Sequence, residues 1–396
     1  MEQPSASLGM QRQLQIYLAG LSQEKPATPV SYEALTEEAR AVLTPEAYGY
    51  VAGGAGAEDT MRANREAFRR WRIVPRLLRD VTDRDLRVEV FGQILRAPVL
   101  LAPVGVLSIV HPGAEEAVAR AAADLGIPFI LSTASSRSIE EVAVSGGDGR
   151  RWFQLYWPRS QDLAASLIRR AEAAGYSALV VTLDTFLLGW RDRDIANAYL
   201  PFLYGEGVAN YFSDPVFRAA LDEPPEANPT QAILYFAREF ANTSLTWGDL
   251  GFLREHTRLP ILLKGILHPD DARRALDHGI DGLIVSNHGG RQLEGALAAL
   301  DALPPIVEAV RGGLPVLFDS GIRRGADVFK AVALGARAVL LGRPYVFGLG
   351  VGGERGVSDV VLNLLAELDL TLGLAGCRSF AEVGPENLVR LDGHLI

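Results

Sequence analysis

The chain of 396 residues has an ordinary globular composition, with 48% hydrophobic and 22% charged residues. A net charge of −9 argues against a general nucleic-acid or anionic-membrane surface. Cys377 is the single cysteine, which excludes an intrachain disulfide and a zinc-binding cysteine cluster, and we predict no metal. Residues 1–21 lack a secretory signal pattern, and the longest apolar stretch, Pro98–Val110, is too short to cross a bilayer. We therefore expect a cytoplasmic protein that spans no membrane.

Eight short apolar runs recur along the chain, and each is followed by a helix-like segment. They are Val99–Ala102, Phe129–Ser132, Trp152–Tyr156, Leu179–Thr182, Ile261–Lys264, Leu283–Ser286, Val316–Asp319 and Val339–Gly342. Continuous apolar strands that alternate with helices are typical of a parallel sheet covered by helices. Eight such units predict an α/β protein with a closed (β/α)8 barrel, the TIM barrel. Ser138 and Glu141 form a capping-box pattern before one helix, and Gly335 ends another.

Two parts of the chain exceed this repeat. Residues 1–96 precede the first strand and look mainly helical, so we predict an N-terminal helical segment packed on a barrel of residues 97–396, within a single domain. Residues 186–256 form a long excursion between strands four and five, which we interpret as an active-site lid. Disorder is one alternative. An aromatic membrane anchor is another, but residues 196–239 hold six acidic and two basic residues, a poor balance for anionic lipid.

Most of the predicted strands end in polar residues. The carboxyl ends of the strands in such a barrel face its active site. The polar residues at these ends, with the turn residues beside them, are Ser132, Gln154, Tyr156, Thr182, Asp184, Lys264, Ser286, His288, Asp319, Gly342 and Arg343. Scattered capping of strand ends is the alternative, but so many polar groups in the same position favour a common site.

His288 and Arg291 lie three residues apart in a glycine-containing turn after the sixth strand. A proton acceptor beside a fixed cation suits a substrate that carries both an acidic hydrogen and a carboxylate. A solvated polar loop is the alternative for this stretch taken alone. Together with the other strand ends, the pair indicates a catalytic site.

Glycine–arginine turns follow the last two strands. Asp319–Gly325 comes after strand seven, and Gly342-Arg343-Pro344 comes after strand eight. Glycines expose backbone N–H groups to an anion, and arginines add a charge that can bind two oxygens at once. Barrels of this kind often bind phosphate at this location. The two turns therefore predict a phosphate site.

Several of these stretches resemble motifs of the FMN-dependent α-hydroxy-acid oxidising enzymes. They are Ser286-Asn287-His288-Gly289-Gly290-Arg291-Gln292, Ala102-Pro103, Phe153-Gln154-Leu155-Tyr156, Thr182-Leu183-Asp184-Thr185, Leu263-Lys264-Gly265 and Asp319–Gly325. The resemblance runs from Tyr32 to the C-terminus. It implies FMN as the cofactor, a small 2-hydroxy acid and O2 as partners, and a homotetramer or homo-octamer.

The resemblance also implies a role for each matching residue. The flavin ring would contact the residues Pro103, Val104, Gly105, Ser132, Gln154, Thr182, Lys264 and Ser286. The FMN phosphate would contact Asp319, Ser320, Gly321, Arg323, Gly342 and Arg343. The substrate would be bound by Tyr50, Tyr156, Arg191, His288 and Arg291. His288 would accept a proton from the substrate while Asp184 stabilises the resulting imidazolium, and Lys264 would stabilise negative charge on the reduced flavin.

Within the family, the resemblance is closest to the lactate 2-monooxygenases. Gly105 and the long excursion favour that group, and Ala134 stands where glycolate-oxidase-like members tend to carry tryptophan. Phe186 departs from the family pattern, because many members have proline at this position. We therefore expect oxidation of L-lactate with O2 to acetate, CO2 and water, in which peroxide decarboxylates the keto acid while the lid retains it.

Other functions stay open at this point. A plain oxidase would release the keto acid and H2O2, and a dehydrogenase would use another electron acceptor. A non-catalytic barrel is disfavoured because His288, Asp184, Arg191 and Arg291 are all retained. A different FMN or sugar-phosphate barrel would explain the phosphate turns but not the pairing of His288 with Arg291.

Overall fold

The structure is a computed structural model that describes residues 7–391. The first six residues of the predicted N-terminal segment and the last five of the predicted barrel lie outside the described residues. Four helices come first: α1 (Leu8–Leu21), α2 (Tyr32–Val42), α3 (Pro45–Ala52) and α4 (Asp59–Arg70). The first three begin where a Ser or Thr side chain accepts a hydrogen bond from a backbone N–H of the first turn.

Beyond Arg70, the segment predicted to be mainly helical is extended. Strand β1 (Trp71–Ile73) is followed by a hairpin of β2 (Val88–Val90) and β3 (Gln93–Leu95). Both residues of the hairpin turn have positive φ, 51° at Phe91 and 71° at Gly92, as a tight two-residue hairpin requires. Val90 and Leu95 pack into the barrel interior and close its lower end. These strands have only three residues each, too few to show a periodicity in the sequence.

Eight parallel strands form a closed barrel, as predicted. They are β4 (Val99–Leu101), β5 (Phe129–Ser132), β6 (Arg151–Leu155), β7 (Leu179–Thr182), β8 (Ile261–Ile266), β9 (Gly282–Val285), β10 (Val316–Phe318) and β11 (Ala338–Leu341). Neighbours in sequence pair with each other, and β11 pairs with β4 to close the barrel. Alternate side chains fill the interior, including Leu100, Ile130, Trp152 and Val180, while the others pack against the helices.

The first barrel helices and the helices of the excursion follow in chain order. Helices α5 (Ala114–Leu125), α6 (Ile139–Ser145) and α7 (Gln161–Ala173) pack outside the barrel. The capping box predicted from Ser138 and Glu141 is present at the start of α6. The excursion contains α8 (Asp192–Ala196), α9 (Ala209–Phe212), α10 (Pro215–Ala219), α11 (Pro229–Phe240) and α12 (Leu250–His256).

The excursion is folded around an aromatic cluster of its own. Tyr211, Phe217 and Phe236 are buried, and the ring of Tyr211 lies 4.8 Å from that of Phe236 and 5.8 Å from that of Phe217. Edge-to-face aromatic contacts of this kind stabilise a segment that lacks regular strands. The excursion is therefore a structured cover beside the barrel rather than a disordered loop.

The last elements return the chain to its N-terminal segment. Helices α13 (Pro269–Asp277), α14 (Ala299–Val310), α15 (Gly325–Ala333) and α16 (Arg343–Leu374) complete the outer layer, and β12 (Leu388–Arg390) pairs with β1. Helix α16 is broken at Gly352 and Gly353, which have non-helical dihedral angles. Helix α1 packs on α16 through Gly9, where a side chain would collide with Leu370 and Ala366. Within residues 7–391, no helix combines the length and apolar character needed to cross a membrane.

Candidate active site

His288 and Asp184 form a pair at the mouth of the barrel. Asp184 follows β7 and His288 follows β9, and His288 Nδ1 lies 2.9 Å from Asp184 Oδ1. His288 has φ 58°, and its backbone N–H donates to Ser286 Oγ at 3.0 Å. Ser286, directly after β9, thus stabilises the turn that carries His288. The ring nitrogen Nε2 is thereby left for a substrate.

The charges around this pair favour a neutral imidazole beside an ionised carboxylate. Burial lowers the pKa of His288 below its ordinary value, and the opposing effect of Asp184 offsets this only in part. Burial alone would raise the pKa of Asp184, but His288 and Lys264 hold it below its ordinary value. His288 can therefore accept a proton near neutral pH, and Asp184 can stabilise the imidazolium that forms.

A row of buried polar side chains crosses the strand ends beneath the cavity. Ser132 Oγ donates to Gln154 Oε1 at 3.1 Å, and Gln154 Nε2 donates to Thr182 Oγ1 at 2.9 Å. On the next strands, Lys264 Nζ donates to Ser286 Oγ at 2.9 Å and lies 3.0 Å from a carboxylate oxygen of Asp319. Burial would lower the pKa of Lys264, but Asp319 and Asp184 raise it above its ordinary value, so the ammonium stays charged.

The substrate end of the cavity, defined by Tyr50, Arg191 and Arg291, carries two guanidinium groups. Arg291 Nη1 donates to two carbonyls at the C-terminal end of α3, Tyr50 O at 2.5 Å and Gly53 O at 2.8 Å. The Arg291 guanidinium also lies 4.9 Å from the centroid of the Tyr50 ring. Arg191 Nε donates to Arg291 O at 3.1 Å. Burial and the neighbouring Arg191 lower the pKa of Arg291 to about 10. Two adjacent cations in a buried site are suited to bind a carboxylate.

Asp194 lies next to these cations but does not border the cavity. Its Oδ2 is buried, has no hydrogen-bond partner within residues 7–391, and lies 3.9 Å from Arg191 Nη1. Burial raises the pKa of Asp194, whereas Arg291 and Arg191 act in the opposite direction. Its carboxylate offsets part of the positive charge at the substrate end, and the sequence motifs did not identify it.

The phosphate end of the cavity, defined by the turn 319–323 and by Arg343, has a different charge balance. Arg343 donates to three backbone carbonyls, Val51 O at 2.9 Å, Gly53 O at 2.7 Å and Gly289 O at 3.0 Å. Burial and the neighbouring Arg291 lower its pKa to about 9. Burial also lowers the pKa of Arg323, whose guanidinium lies 4.3 Å from the Tyr32 ring centroid.

Neither the Arg343 nor the Arg323 guanidinium donates a hydrogen bond to a carboxylate of the described residues. A buried cation without an anionic partner is costly, so this arrangement is suited to a bound anion. In the adjoining turn, Ser320 and Gly321 have φ of 81° and 107°. The residues present therefore fit the phosphate group of FMN.

The cavity joins both ends and brings most of the predicted residues together. Those that line it are Tyr50, Pro103, Val104, Gly105, Tyr156, Arg191, Lys264, His288, Arg291, Asp319, Ser320, Gly321, Arg323, Gly342 and Arg343. Five predicted residues do not line it: Asp184, Ser132, Gln154, Thr182 and Ser286. Asp184 is bonded to His288, and the other four belong to the polar row.

Sequence reasoning missed several cavity walls. Leu188, Phe202 and Phe240 of the excursion line the cavity. Thr185 lines it too, and its Oγ1 lies 3.3 Å from His288 Nδ1. The sequence indicated that the excursion covers the site, but a lone aromatic residue in a long loop carries no signal that separates a cavity wall from the loop's own core. The Phe202 and Phe240 rings lie 5.6 Å apart, so the two residues form one wall.

A latch, formed by Glu206, Ser108 and Ser136, joins the excursion to the barrel loops. The Ser108 hydroxyl donates to the Glu206 carboxylate, and Ser136 Oγ donates to Ser108 Oγ at 2.8 Å. Beside it, Gly207 has φ 77°, and a Cβ there would lie 2.4 Å from a Val106 methyl group. Phe202, four residues before Glu206, lines the same cavity as Gly105 and Ala134.

Comparison with known proteins gives the same family from sequence and from structure. A family model described as FMN-dependent dehydrogenase matches residues 39–390. An FMN-dependent alpha-hydroxy acid dehydrogenase of Penicillium citrinum is 47% identical over 384 residues, which are 96% of each chain. An L-lactate oxidase of Lysinibacillus sphaericus is 43% identical over 365 residues, 92% of this chain and 94% of that protein.

A crystal structure of mandelate oxidase superposes with a TM-score of 0.81 at 44% identity, and covers 91% of this chain and 98% of that one. The shared architecture confirms the predicted TIM barrel. These three relatives carry dehydrogenase and oxidase names, so the predicted monooxygenase subtype and lactate specificity are not confirmed. The chain belongs to the FMN-dependent dehydrogenase family and is an FMN-dependent 2-hydroxy-acid oxidoreductase.

Proposed function

We propose that this enzyme oxidises a small L-2-hydroxy acid to the 2-keto acid with O2 as the electron acceptor, and releases H2O2. The observation that carries this proposal is the cavity itself, in which a neutral His288 paired with Asp184 lies beside the guanidinium groups of Arg191 and Arg291. A base next to a carboxylate clamp fits an acid whose neighbouring carbon bears a hydroxyl. The names of the lactate and mandelate oxidases support O2 as the acceptor.

The substrate end performs binding and proton transfer. Arg191 and Arg291 bind the substrate carboxylate, which fixes the hydroxyl-bearing carbon relative to His288. His288 accepts a proton through its unbonded nitrogen, and the adjacent Asp184 carboxylate stabilises the imidazolium. Burial raises the pKa of Tyr156, so its hydroxyl stays protonated and can donate a hydrogen bond to the substrate oxygen.

The phosphate end and the polar row hold the cofactor. Arg323, Arg343 and the turn 319–321 would hold the FMN phosphate, and Pro103, Val104 and Gly105 would hold its ring. The polar row of Ser132, Gln154, Thr182, Lys264 and Ser286 would hold the ring through the hydrogen-bonding groups of its side chains. When bound, FMN supplies a two-electron acceptor that O2 can reoxidise. Asp319 and Asp184 raise the pKa of the buried Lys264, so its ammonium would stabilise negative charge at the ring.

A second candidate is the lactate 2-monooxygenase reaction, which yields acetate and CO2. The latch between Glu206 and Ser108 favours it, because a lid held closed would retain the keto acid beside the peroxide. The named relatives favour release instead, so we propose the oxidase outcome first and L-lactate as the first substrate to test.

Product analysis with L-lactate under air separates these outcomes. The oxidase proposal expects pyruvate and H2O2 in equal amounts, whereas acetate and CO2 without free peroxide would establish the monooxygenase reaction. A set of larger 2-hydroxy acids, including L-mandelate, tests the substrate side chain. If no 2-hydroxy acid bleaches the flavin absorbance of the purified enzyme, the proposed function is wrong.

The remaining predictions concern organisation. We propose that the N-terminal segment and the barrel form a single domain, because α3 contributes carbonyls to the site and Asn64 of α4 donates a hydrogen bond to Asn287 beside His288. A homotetramer or homo-octamer and a cytoplasmic location also stay predictions. Light scattering of the purified enzyme and imaging of a tagged copy would test them.

A further inference from the structure

Three separate chain segments meet beside the substrate end. Ala55 N donates to Gly290 O at 2.8 Å, and Gly56 N donates to Trp190 O at 2.8 Å. The loop after α3, the start of the excursion and the turn that carries His288 are thus joined by their backbones. Arg191 belongs to one of these segments and Arg291 to another, so the junction sets the distance between the two cations.

One side chain, Gln292, lies between two of these segments and uses its full hydrogen-bonding capacity. Its Nε2 donates to Asp184 O at 2.6 Å and to Leu187 O at 2.8 Å. Its Oε1 accepts from Gly189 N at 3.3 Å and from Arg191 Nη2 at 3.0 Å. Two donors and two acceptor positions are all that a side-chain amide offers in this arrangement.

The backbone of Gly189 independently shows how closely these segments approach. A Cβ at position 189 would lie 2.5 Å from Gln292 O and 2.6 Å from Arg291 O, distances that real Cβ atoms do not adopt. Glycine is therefore required here for close packing of two backbones. The amide of Gln292 fills a gap of fixed size between segments that already touch.

We propose that Gln292 is a positioning residue for the reaction. Its side chain fixes the positions of Arg191 and of the Asp184 backbone relative to His288 and Arg291. The inference rests on the proposed function, since it assigns Gln292 to the same substrate end. The amide is the group that can both accept from a guanidinium and donate to two carbonyls. Without it, Arg191 loses one fixed partner and the Asp184–Gly189 segment loses its tie to the His288 turn.

The main test is Gln292→Met, which keeps the length of the side chain and removes all four hydrogen bonds. The dissociation constant for oxalate, an unreactive carboxylate probe, is measured from the flavin absorbance per bound FMN. Because the hydrogen bond to Arg191 involves a charged group, we expect this constant to rise about 10–100-fold. The limiting rate of flavin reduction by a 2-hydroxy acid falls as well. Gln231→Met, the same change at a side chain bonded to Asp222 in the excursion, is the matched control.

A second variant keeps the test valid if Gln292→Met fails to fold. Gly189→Ala leaves the amide in place but forces the two backbones apart, so oxalate affinity falls while FMN affinity is preserved. Gly251→Ala is its control, because a Cβ there meets no atom within 4 Å. Lower melting temperature or FMN content, with unchanged oxalate affinity per bound flavin in both variants, would overturn the inference. A wild-type enzyme whose flavin no 2-hydroxy acid reduces would instead overturn the proposed function.

Discussion

The two ends of the cavity differ in how their cations are balanced. At the phosphate end, Arg343 is held by backbone carbonyls, and no carboxylate among the described residues accepts a hydrogen bond from it. At the substrate end, the carboxylate of Asp194 lies 3.9 Å from Arg191. Burial lowers the pKa of Arg343 to about 9 and that of Arg291 to about 10, so both guanidiniums gain from a bound anion.

This difference matches two kinds of ligand. A site whose guanidinium groups donate to no carboxylate of the described residues favours a group that stays bound, such as a cofactor phosphate. A site with its own carboxylate nearby can release an anionic ligand at lower cost, as an enzyme must do with substrate and product. The two ends share the carbonyl of Gly53, which accepts from both Arg291 and Arg343, so α3 positions both.

The largest effect is expected from replacing His288, the proton acceptor at the substrate end. His288→Gln removes the proton acceptor, so flavin reduction by substrate should slow by about 10²–10⁴-fold. FMN should stay bound, because the phosphate end is untouched. Stopped-flow absorbance of the flavin measures the rate. The exposed His268, changed to Asn, is the control, and near-normal bleaching in His288→Gln would remove His288 from this role.

The partner of the base should have a smaller effect and a distinct pH signature. Since Asp184 raises the pKa of His288, Asp184→Asn should lower that pKa further. The wild-type rate falls as pH drops through a His288 pKa that burial places below 6.5, and in the variant this fall should begin at still lower pH. Loss of a hydrogen bond to a charged group costs about 1.5–3 kcal/mol, so the maximal rate of flavin reduction at high pH should fall about 10–100-fold.

The measurement is the pH profile of flavin reduction in both proteins. The exposed Asp192→Asn, in the neighbouring helix α8, is the control and should keep the wild-type profile. An acid limb that moves to higher pH in Asp184→Asn would contradict the assigned electrostatics.

At the phosphate end, Arg343→Gln should affect the cofactor rather than the chemistry. Removing a charged donor weakens FMN binding by about 10–100-fold, whereas riboflavin, which lacks the phosphate, should bind both proteins equally. Fluorescence titration of the apoprotein with each flavin gives the two affinities. Arg337→Gln, at an arginine bonded to Glu89 O outside the cavity, is the control. Equal losses for FMN and riboflavin would place Arg343 away from the phosphate.

The parts of the fold and site that the sequence predicts are those formed by residues close together in the chain. The phosphate end and the His288 turn are built from residues next to their own strands, so short motifs identify them, and the barrel follows from the eight apolar runs. Gln154 and Thr182 were also placed at the site, although the structure shows them bonded to each other beneath the cavity.

The parts that sequence reasoning missed depend on contacts between distant segments. Asp194 acts on Arg291 only because α8 packs against α3, whose carbonyls hold Arg291. Phe202 reaches the cavity only because the excursion folds back over the barrel. The hairpin that closes the barrel at Val90 and Leu95 is too short for any periodic pattern. Such features depend on tertiary packing, which local motifs do not encode.

The smallest predicted effect concerns the latch, which forms no hydrogen bond with a residue of the phosphate end. Ser108→Ala removes the hydrogen bond to Glu206 and the one from Ser136. Both bonds are only partly buried, so we take their combined net value as about 1 kcal/mol; the KM for the substrate should then rise about fivefold while FMN affinity stays unchanged. Ser244→Ala, which removes a hydroxyl bonded to Asn242 elsewhere in the excursion, is the control. Steady-state kinetics and flavin titration give both values, and a loss of FMN affinity in Ser108→Ala would show that the two ends are not independent.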